Sequence, residues 1–353
     1  MSRITAPIPL EKKSMTGARI ELKSMEKRIS QKRRGATPLP IRDGLNPTHA
    51  RVPDGPITAW DFVHNLITTQ RHRHPEDNEA ALQTRFDANE VVRQDGSPLR
   101  PDSILATNAV VYFYRIPAPE QPVPYGIPIL HEDEHLLVVD KPPFMATMPR
   151  ARHITETATV RLRRETGNND LSPAHRLDRL TSGLLVFTKD RSVRGAYQTL
   201  FAERRVTKTY EAIAPLADVS PGTIWRSRME KTPGELQGRI VEGEVNAITE
   251  VAAVEPVDKN PYEMLHGSLP ALARYTLKPH TGKTHQLRLH MLQAGIPIIG
   301  DPIYPVIFPA EAEDMRIPMH LTATRISFVD PLTGRPREFS SQLPLESHHF
   351  LSP

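Results

Sequence analysis

The amino-acid sequence predicts an α+β protein in two parts, a larger C-terminal domain built on a sheet and a small α+β domain before it. Three observations carry that expectation. Short apolar runs bounded by prolines or turn residues, such as His135 to Lys141 before Pro142-Pro143 and Leu184 to Phe187 after Ser182-Gly183, have the length and composition of buried strands. Apolar residues three and four apart, most clearly Val193, Ala196, Tyr197, Leu200 and Phe201 within Ser192 to Arg204, have the period of a helix face. From Pro117 to Pro128 the chain is rich in proline and has no apolar period, which marks a domain boundary.

In chain order, the first segment is a basic arm. Ten lysines and arginines, from Arg3 to Arg34, are opposed there only by Glu11, Glu21 and Glu26, a balance that suits either a solvated tail or contact with RNA phosphates. Prolines and glycines from Thr37 to Pro56 read as a linker, so residues 1–56 are expected to be flexible arm and linker. Residues 57–117 form the small domain. Trp60, Val63 and Ile67 mark one helix face, and Arg85 to Val92 and Ala109 to Tyr114 read as strands joined through the turn Gln94 to Pro98. Arg71-His72-Arg73-His74 lacks a further ligand at useful spacing, so no metal is assigned.

The catalytic candidates lie beyond the boundary, in residues 127–353. After a helix expected over Thr155 to Glu165, the stretch Pro173 to Lys189 sets Asp178 between Arg176 and Arg179, passes through turn residues Thr181, Ser182 and Gly183, and ends in a buried-strand run. Taken alone, Asp178 would be a turn-capping carboxylate beside surface arginines. The stretch Val206 to Ala214 alternates as a strand that puts Lys208 and Tyr210 on one face. A strand from Tyr275 runs into a glycine turn and a helix ending at Gly295, with His285 and Arg288 three residues apart on one side. Gly282-Lys283-Thr284 is not a phosphate-binding loop, because Leu277 stands where such a loop needs its first glycine.

The chain has 353 residues, 38% of them hydrophobic, enough for one large or two ordinary domains. A net charge of +4 and a pI near 9.2 are compatible with a polyanionic partner. There is no cysteine, which excludes disulfides, thiolate nucleophiles and cysteine-bound zinc. No apolar run reaches the roughly 18 to 20 residues that span a bilayer, and the N-terminus lacks the apolar core of a signal peptide. A cytoplasmic protein without membrane contact is expected.

His175-Arg176-Leu177-Asp178, followed after two residues by Thr181-Ser182-Gly183-Leu184-Leu185, resembles the catalytic motif of the RluA-type pseudouridine synthases, with Leu180 where an acidic residue is frequent. Lys208-Thr209-Tyr210 is similar to their second motif, and Gly282 to His290 to their third, with Lys283 in place of a more usual arginine. The resemblance extends over roughly Ile127 to Pro344.

It implies a pseudouridine synthase fold with a mixed, mainly antiparallel central sheet, preceded by an accessory domain that would be a diverged RNA-binding module. It implies isomerisation of uridine to pseudouridine in rRNA or tRNA, a reaction without redox change or group donor that needs no cofactor; no metal and a monomer are expected. Asp178 would be the essential carboxylate, Arg288 its ion-pair partner and Tyr210 the ring lying against the target base. Arg176 would enter the RNA where the uridine leaves, His175 would orient the loop, and Thr181, Lys208 and His285 would complete the substrate site. The alternative left open is a non-catalytic RNA-binding or ribosome-assembly factor on the same fold.

Overall fold

A computed structural model describes residues 37–309 and 313–343, which divide into two compact units. The basic arm lies outside the described residues. The first unit comprises residues up to 40, Pro47–Leu66 and Glu79–Arg115. Its elements are β1 (Thr48–Arg51), β2 (Ile57–Thr58), α1 (Ala59–Thr68), α2 (Glu79–Asp87), β3 (Val91–Arg93), β4 (Ile104–Leu105) and β5 (Val110–Phe113). β5 is the centre of a three-stranded antiparallel sheet between β1 and β3, and β2 pairs with β4. Trp60 stacks on Phe86 with ring centroids 5.9 Å apart.

Two sequence expectations change here. Arg85 to Val92 is not one strand, because α2 continues to Asp87 and only Val91–Arg93 is extended. The reason is that Leu82, Arg85 and Phe86 are all buried, an i, i+3, i+4 stripe that begins upstream of the residues read as a strand. The stretch from Thr37 to Pro56 is also not structureless. β1 lies within it, its register on β5 running from Thr48 opposite Phe113 to Arg51 opposite Val110, and the ladder supplies the backbone hydrogen bonds that Pro47 and Pro53 only bracket.

The second unit comprises Ile41–Asn46, Ile67–Asn78 and the chain from Ile116 onward. It contains β6 (Ile129–Glu132), β7 (Leu136–Lys141), α3 (Ala158–Thr166), β8 (Ser172–Pro173), β9 (Ser182–Thr188), α4 (Arg191–Ala202), β10 (Val206–Pro215), β11 (Ile224–Glu230), β12 (Arg239–Val241) and β13 (Ala247–Val257). α5 (Asn260–His266), β14 (Leu272–Pro279), α6 (Gln286–Gln293), β15 (Leu321–Val329) and β16 (Pro336–Ser340) follow. One eleven-stranded sheet runs β12-β11-β13-β14-β10-β15-β9-β7-β6, with β16 on β15 and β8 on β9. All pairs are antiparallel except β15 with β9, so the sheet is mixed and mainly antiparallel.

The middle of β7 (Leu136 to Val139) and of β9 (Leu184 to Phe187) is apolar on both faces because both faces are covered. Leu137, Val139, Leu185 and Phe187 join the main core with Leu162 of α3, while Leu136, Val138, Leu184 and Val186 pack with Val193, Tyr197 and Leu200 of α4. The parallel junction sets where β9 begins. There Gly183 lies opposite Ala323 at φ 100°, and a Cβ on it would come within 2.3 Å of the Ala323 carbonyl oxygen, so only glycine lets the strands approach. Ser182 and Thr322 add a hydroxyl hydrogen bond of 2.7 Å across the same junction. The residues just before β9 are thereby held at the junction with β15.

Candidate active site

Asp178 occupies the loop between β8 and β9, and its neighbours in sequence are fixed on both sides. Leu177 and Leu180 are buried in the main core, which turns the intervening side chains outward. The Leu177 N–H donates to the Thr147 hydroxyl at 3.1 Å, and that hydroxyl donates to the Leu177 carbonyl at 2.9 Å. Lys141, fully buried at the end of β7, donates to the carbonyls of Pro142, Met145 and Arg179 at 2.7, 2.9 and 3.2 Å. Burial drives its pKa far below the usual lysine value, with Arg179 adding to the effect and Asp178 opposing it. Inside the loop, the Thr181 N–H donates to the Asp178 carbonyl at 3.1 Å.

The two arginines beside Asp178 part company. Arg176 is exposed and lines the cleft, whereas Arg179 pairs with Glu313 and donates to the Phe144 carbonyl at 3.2 Å. His175 accepts the Val186 N–H at 3.2 Å and stacks on Phe201 at 4.4 Å. Burial first, then Lys208, depresses its pKa far below the ordinary histidine value, so the ring is neutral and serves to hold the loop.

β10 contributes Lys208 and Tyr210, and a register shift between Thr209 and Tyr210 in its pairing with β15 bends it at this point. Both line the same cleft as Asp178. Lys208 Nζ sits 5.1 Å from the centre of the Phe201 ring, and burial lowers its pKa to about 8. Burial, then the charge of Asp178, raises the pKa of the Tyr210 phenol, which stays protonated at neutral pH and can donate a hydrogen bond.

The third wall is the turn before α6. His285 is not inside the helix, as its spacing to Arg288 suggested, but is its N-cap residue in left-handed conformation at φ 58°. Gln286 knits the turn: its amide oxygen accepts from the Thr281 hydroxyl at 2.7 Å and the Lys283 N–H at 3.1 Å, and its amide nitrogen donates to the Ile248 carbonyl at 2.9 Å. His285 Nδ1 lies 2.9 Å from the Tyr304 hydroxyl, and Nε2 lies 4.0 Å from Asp178 Oδ2, too far for a hydrogen bond. Burial lowers the His285 pKa to about 4 against the pull of Asp178, with Arg288 and Lys231 lowering it further.

The Arg288 expectation is corrected. Its guanidinium pairs with Asp301, not Asp178, through Nε–Oδ2 at 2.7 Å and Nη2–Oδ1 at 2.6 Å. Both side chains are almost fully buried, and Asp301 also accepts the N–H groups of Ile303 and Tyr304 at 2.9 and 3.1 Å. A guanidinium desolvated to this degree needs a fork-matched carboxylate, and Asp301 supplies one in the same fixed geometry. Arg288 still lines the cleft beside Asp178.

The resulting cleft, about 580 Å³, gathers Arg176, His175, Asp178, Thr181, Lys208, Tyr210, His285 and Arg288. Asp178 is the one carboxylate among its described lining residues, against Arg176, Arg204, Lys208, Lys278, Lys283 and Arg288. Such a site attracts a polyanion and offers it a single carboxylate as nucleophile or base. Thr147, Lys141, Gln286, Asp301 and Tyr304 were missed as site-forming residues. A lysine ending the apolar run of β7 and the acid in Gly300-Asp301-Pro302 were the available signals.

Residues 135–293 match the RNA pseudouridylate synthase family. The tRNA pseudouridine synthase C of Vibrio parahaemolyticus is 32% identical over 222 residues, 60% of this chain and 88% of that protein. The dual-specificity RNA pseudouridine synthase RluA of Pasteurella multocida is 30% identical over 221 residues, 62% of this chain and 93% of that protein. Among solved structures, human RNA pseudouridylate synthase domain containing 4 is 25% identical, with a TM-score of 0.47 over 64% of this chain and 92% of that one.

Proposed function

The chain belongs to the RluA-type RNA pseudouridine synthases, isomerases of uridine in RNA, and from that premise we propose that Asp178 is its essential carboxylate, acting on a uridine extruded from structured ribosomal or transfer RNA. One observation carries the assignment: among the described residues lining the cleft, Asp178 is the lone carboxylate against six cationic side chains. The reaction breaks the bond between the ribose anomeric carbon and a ring nitrogen, turns the base and joins the same ribose carbon to carbon five, whose proton leaves while the freed nitrogen gains one. Electrons balance without a redox partner or group donor. A carboxylate serves this chemistry as nucleophile toward the sugar or the ring, or as a base toward the sugar, and each route needs it ionised within reach of the extruded nucleoside.

The other cleft residues take roles that their surroundings support. Tyr210, a neutral phenol beside Asp178, lies against the base, where stacking contributes roughly 1 to 3 kcal/mol. Arg176, exposed two residues before Asp178, fills the space the uridine vacates. Lys208 and Lys283 hold phosphates. Arg288, tied to Asp301, acts through its field on the cleft and by shaping the Tyr304–His285 wall, its guanidinium 5.0 Å from the centre of the Tyr304 ring. The test is to map pseudouridines across total RNA from cells with and without the gene, then treat RNA from the deletion with purified protein. Sites that vanish and are restored in vitro are expected; unchanged maps together with RNA binding would favour the binding-factor alternative.

A further inference from the structure

The turn ahead of α3 carries two arginines that the catalytic reading leaves unused. Met148 to Arg152 is exposed, and Arg150 and His153 exchange backbone hydrogen bonds of 2.8 and 3.1 Å that close a tight turn with Ala151 at φ 54°. Among the described residues no carboxylate lies within ion-pair distance of either guanidinium, and the one hydrogen bond between side chains here runs from Arg152 Nε to His153 Nε2 at 3.3 Å. The acids nearby are committed elsewhere: Glu120 accepts the N–H groups of Ile154 and Thr155, both at 2.7 Å, and Glu313 pairs with Arg179. A strained turn presenting two unpaired arginines to solvent contributes little to the fold and suits an anion.

Its position is tied to the chemistry. Thr147, at the base of the turn, makes both hydrogen bonds to Leu177, the residue before Asp178, and its own carbonyl accepts the Thr159 hydroxyl at 2.7 Å. The turn is thus joined to the Asp178 loop through Thr147, yet Arg150 and Arg152 stand outside the cleft that Arg176, Lys208, Lys278 and Lys283 line.

We propose that the turn around Arg150 and Arg152 is a second backbone-binding site, in which these two guanidinia grip a phosphodiester of the RNA strand flanking the uridine held at Asp178. This rests on the pseudouridine synthase reading. A nucleotide swung out of its stack leaves a phosphate on each flank to be held, and the turn offers guanidinia beyond the cleft that takes the extruded nucleotide. Arginine forks match phosphate oxygens in pairs, and the Thr147–Leu177 link fixes the distance from that grip to the reacting base.

The test compares the full-length wild type, Arg150→Ala/Arg152→Ala and Arg150→Lys/Arg152→Lys on an unmodified transcript of an RNA that the wild type modifies. Binding is titrated between about 50 and 200 mM KCl, and steady-state kinetics are run alongside. The alanine pair should lower the slope of log affinity against log salt by roughly 1 to 2 and raise KM about tenfold or more, with kcat within about twofold and an unchanged melting temperature. The lysine pair should recover most of the slope. An unchanged slope and KM overturn the proposal, as does a fall in kcat with binding intact, which would make the turn a support of the Asp178 loop. Absence of isomerisation by the wild type would instead count against the function, and the salt slopes on any bound RNA would still decide whether the turn grips phosphate.

Discussion

Asp301→Asn should be the most damaging single change outside the reacting groups. It keeps the shape of the side chain but leaves the Arg288 guanidinium, 2% exposed, without a counter-charge. Two hydrogen bonds of 2.6 and 2.7 Å to that guanidinium are lost or weakened, and those from the Ile303 and Tyr304 N–H groups then meet a neutral acceptor. Breaking a buried ion pair from one side costs about 3 to 5 kcal/mol, whereas replacing both partners by apolar side chains is often nearly neutral. Thermal or urea denaturation should therefore show a loss of about 3 to 5 kcal/mol for the single variant, or roughly 6 to 20 °C in Tm. Arg288→Met/Asp301→Leu should recover part of that stability, the Ile303 and Tyr304 N–H groups still lacking their acceptor, and none of the activity, since the Tyr304–His285 wall and the cleft's field go with the pair. A single-variant loss below about 1 kcal/mol would refute the reasoning, because it would mean the pair is solvated.

Tyr210→Phe keeps the ring and removes the hydroxyl; a fall in kcat with unchanged RNA affinity is expected, and full activity would leave Tyr210 with stacking alone. Lys208 has a pKa of about 8 through burial, so it is charged below that pH and neutral above it. A phosphate contact should raise that pKa, so RNA affinity should weaken from pH 7.5 to 9.5 with proton uptake on binding; Lys208→Arg should remove the pH dependence, and a wild-type affinity flat across this range would exclude the contact. Deleting residues 1–35 should weaken RNA binding and flatten its salt dependence while kcat at saturating RNA holds; an unaltered salt slope would rule out a role for the arm in binding.

What was legible in the sequence was whatever one local window contains. The apolar runs of β7 and β9, the stripe of α4 and the alternation of β10 each repeat with a short period, and the side chains converging on the cleft sit at motif spacings. What was not legible depends on partners far away in the chain. From Arg85 onward the residues alone have a strand's pattern, because Leu82, which completes the buried helix stripe of α2, lies upstream. Arg288 had two acids to choose between, and spacing along the chain cannot say that the carboxylate meeting its fork is Asp301. The parallel contact of Gly183 with Ala323 spans 140 residues, and only there does the glycine's need become visible. His285 was drawn as a helix residue because nothing in its identity announces a left-handed N-cap.

The chemistry turns on one carboxylate, and Asp178→Asn isolates it. The substitution keeps size and most hydrogen bonding, removes the charge and the nucleophile, and leaves the Thr147, Lys141 and Thr181 anchors of the loop in place. The measurement is tritium release from RNA labelled at carbon five of uracil, with a binding titration of the same transcript in parallel. Wild type should release tritium and the Asn variant should not, while its RNA affinity is equal or higher because the cleft has lost its one negative charge. Release by the Asn variant at the wild-type rate would contradict the assignment of Asp178.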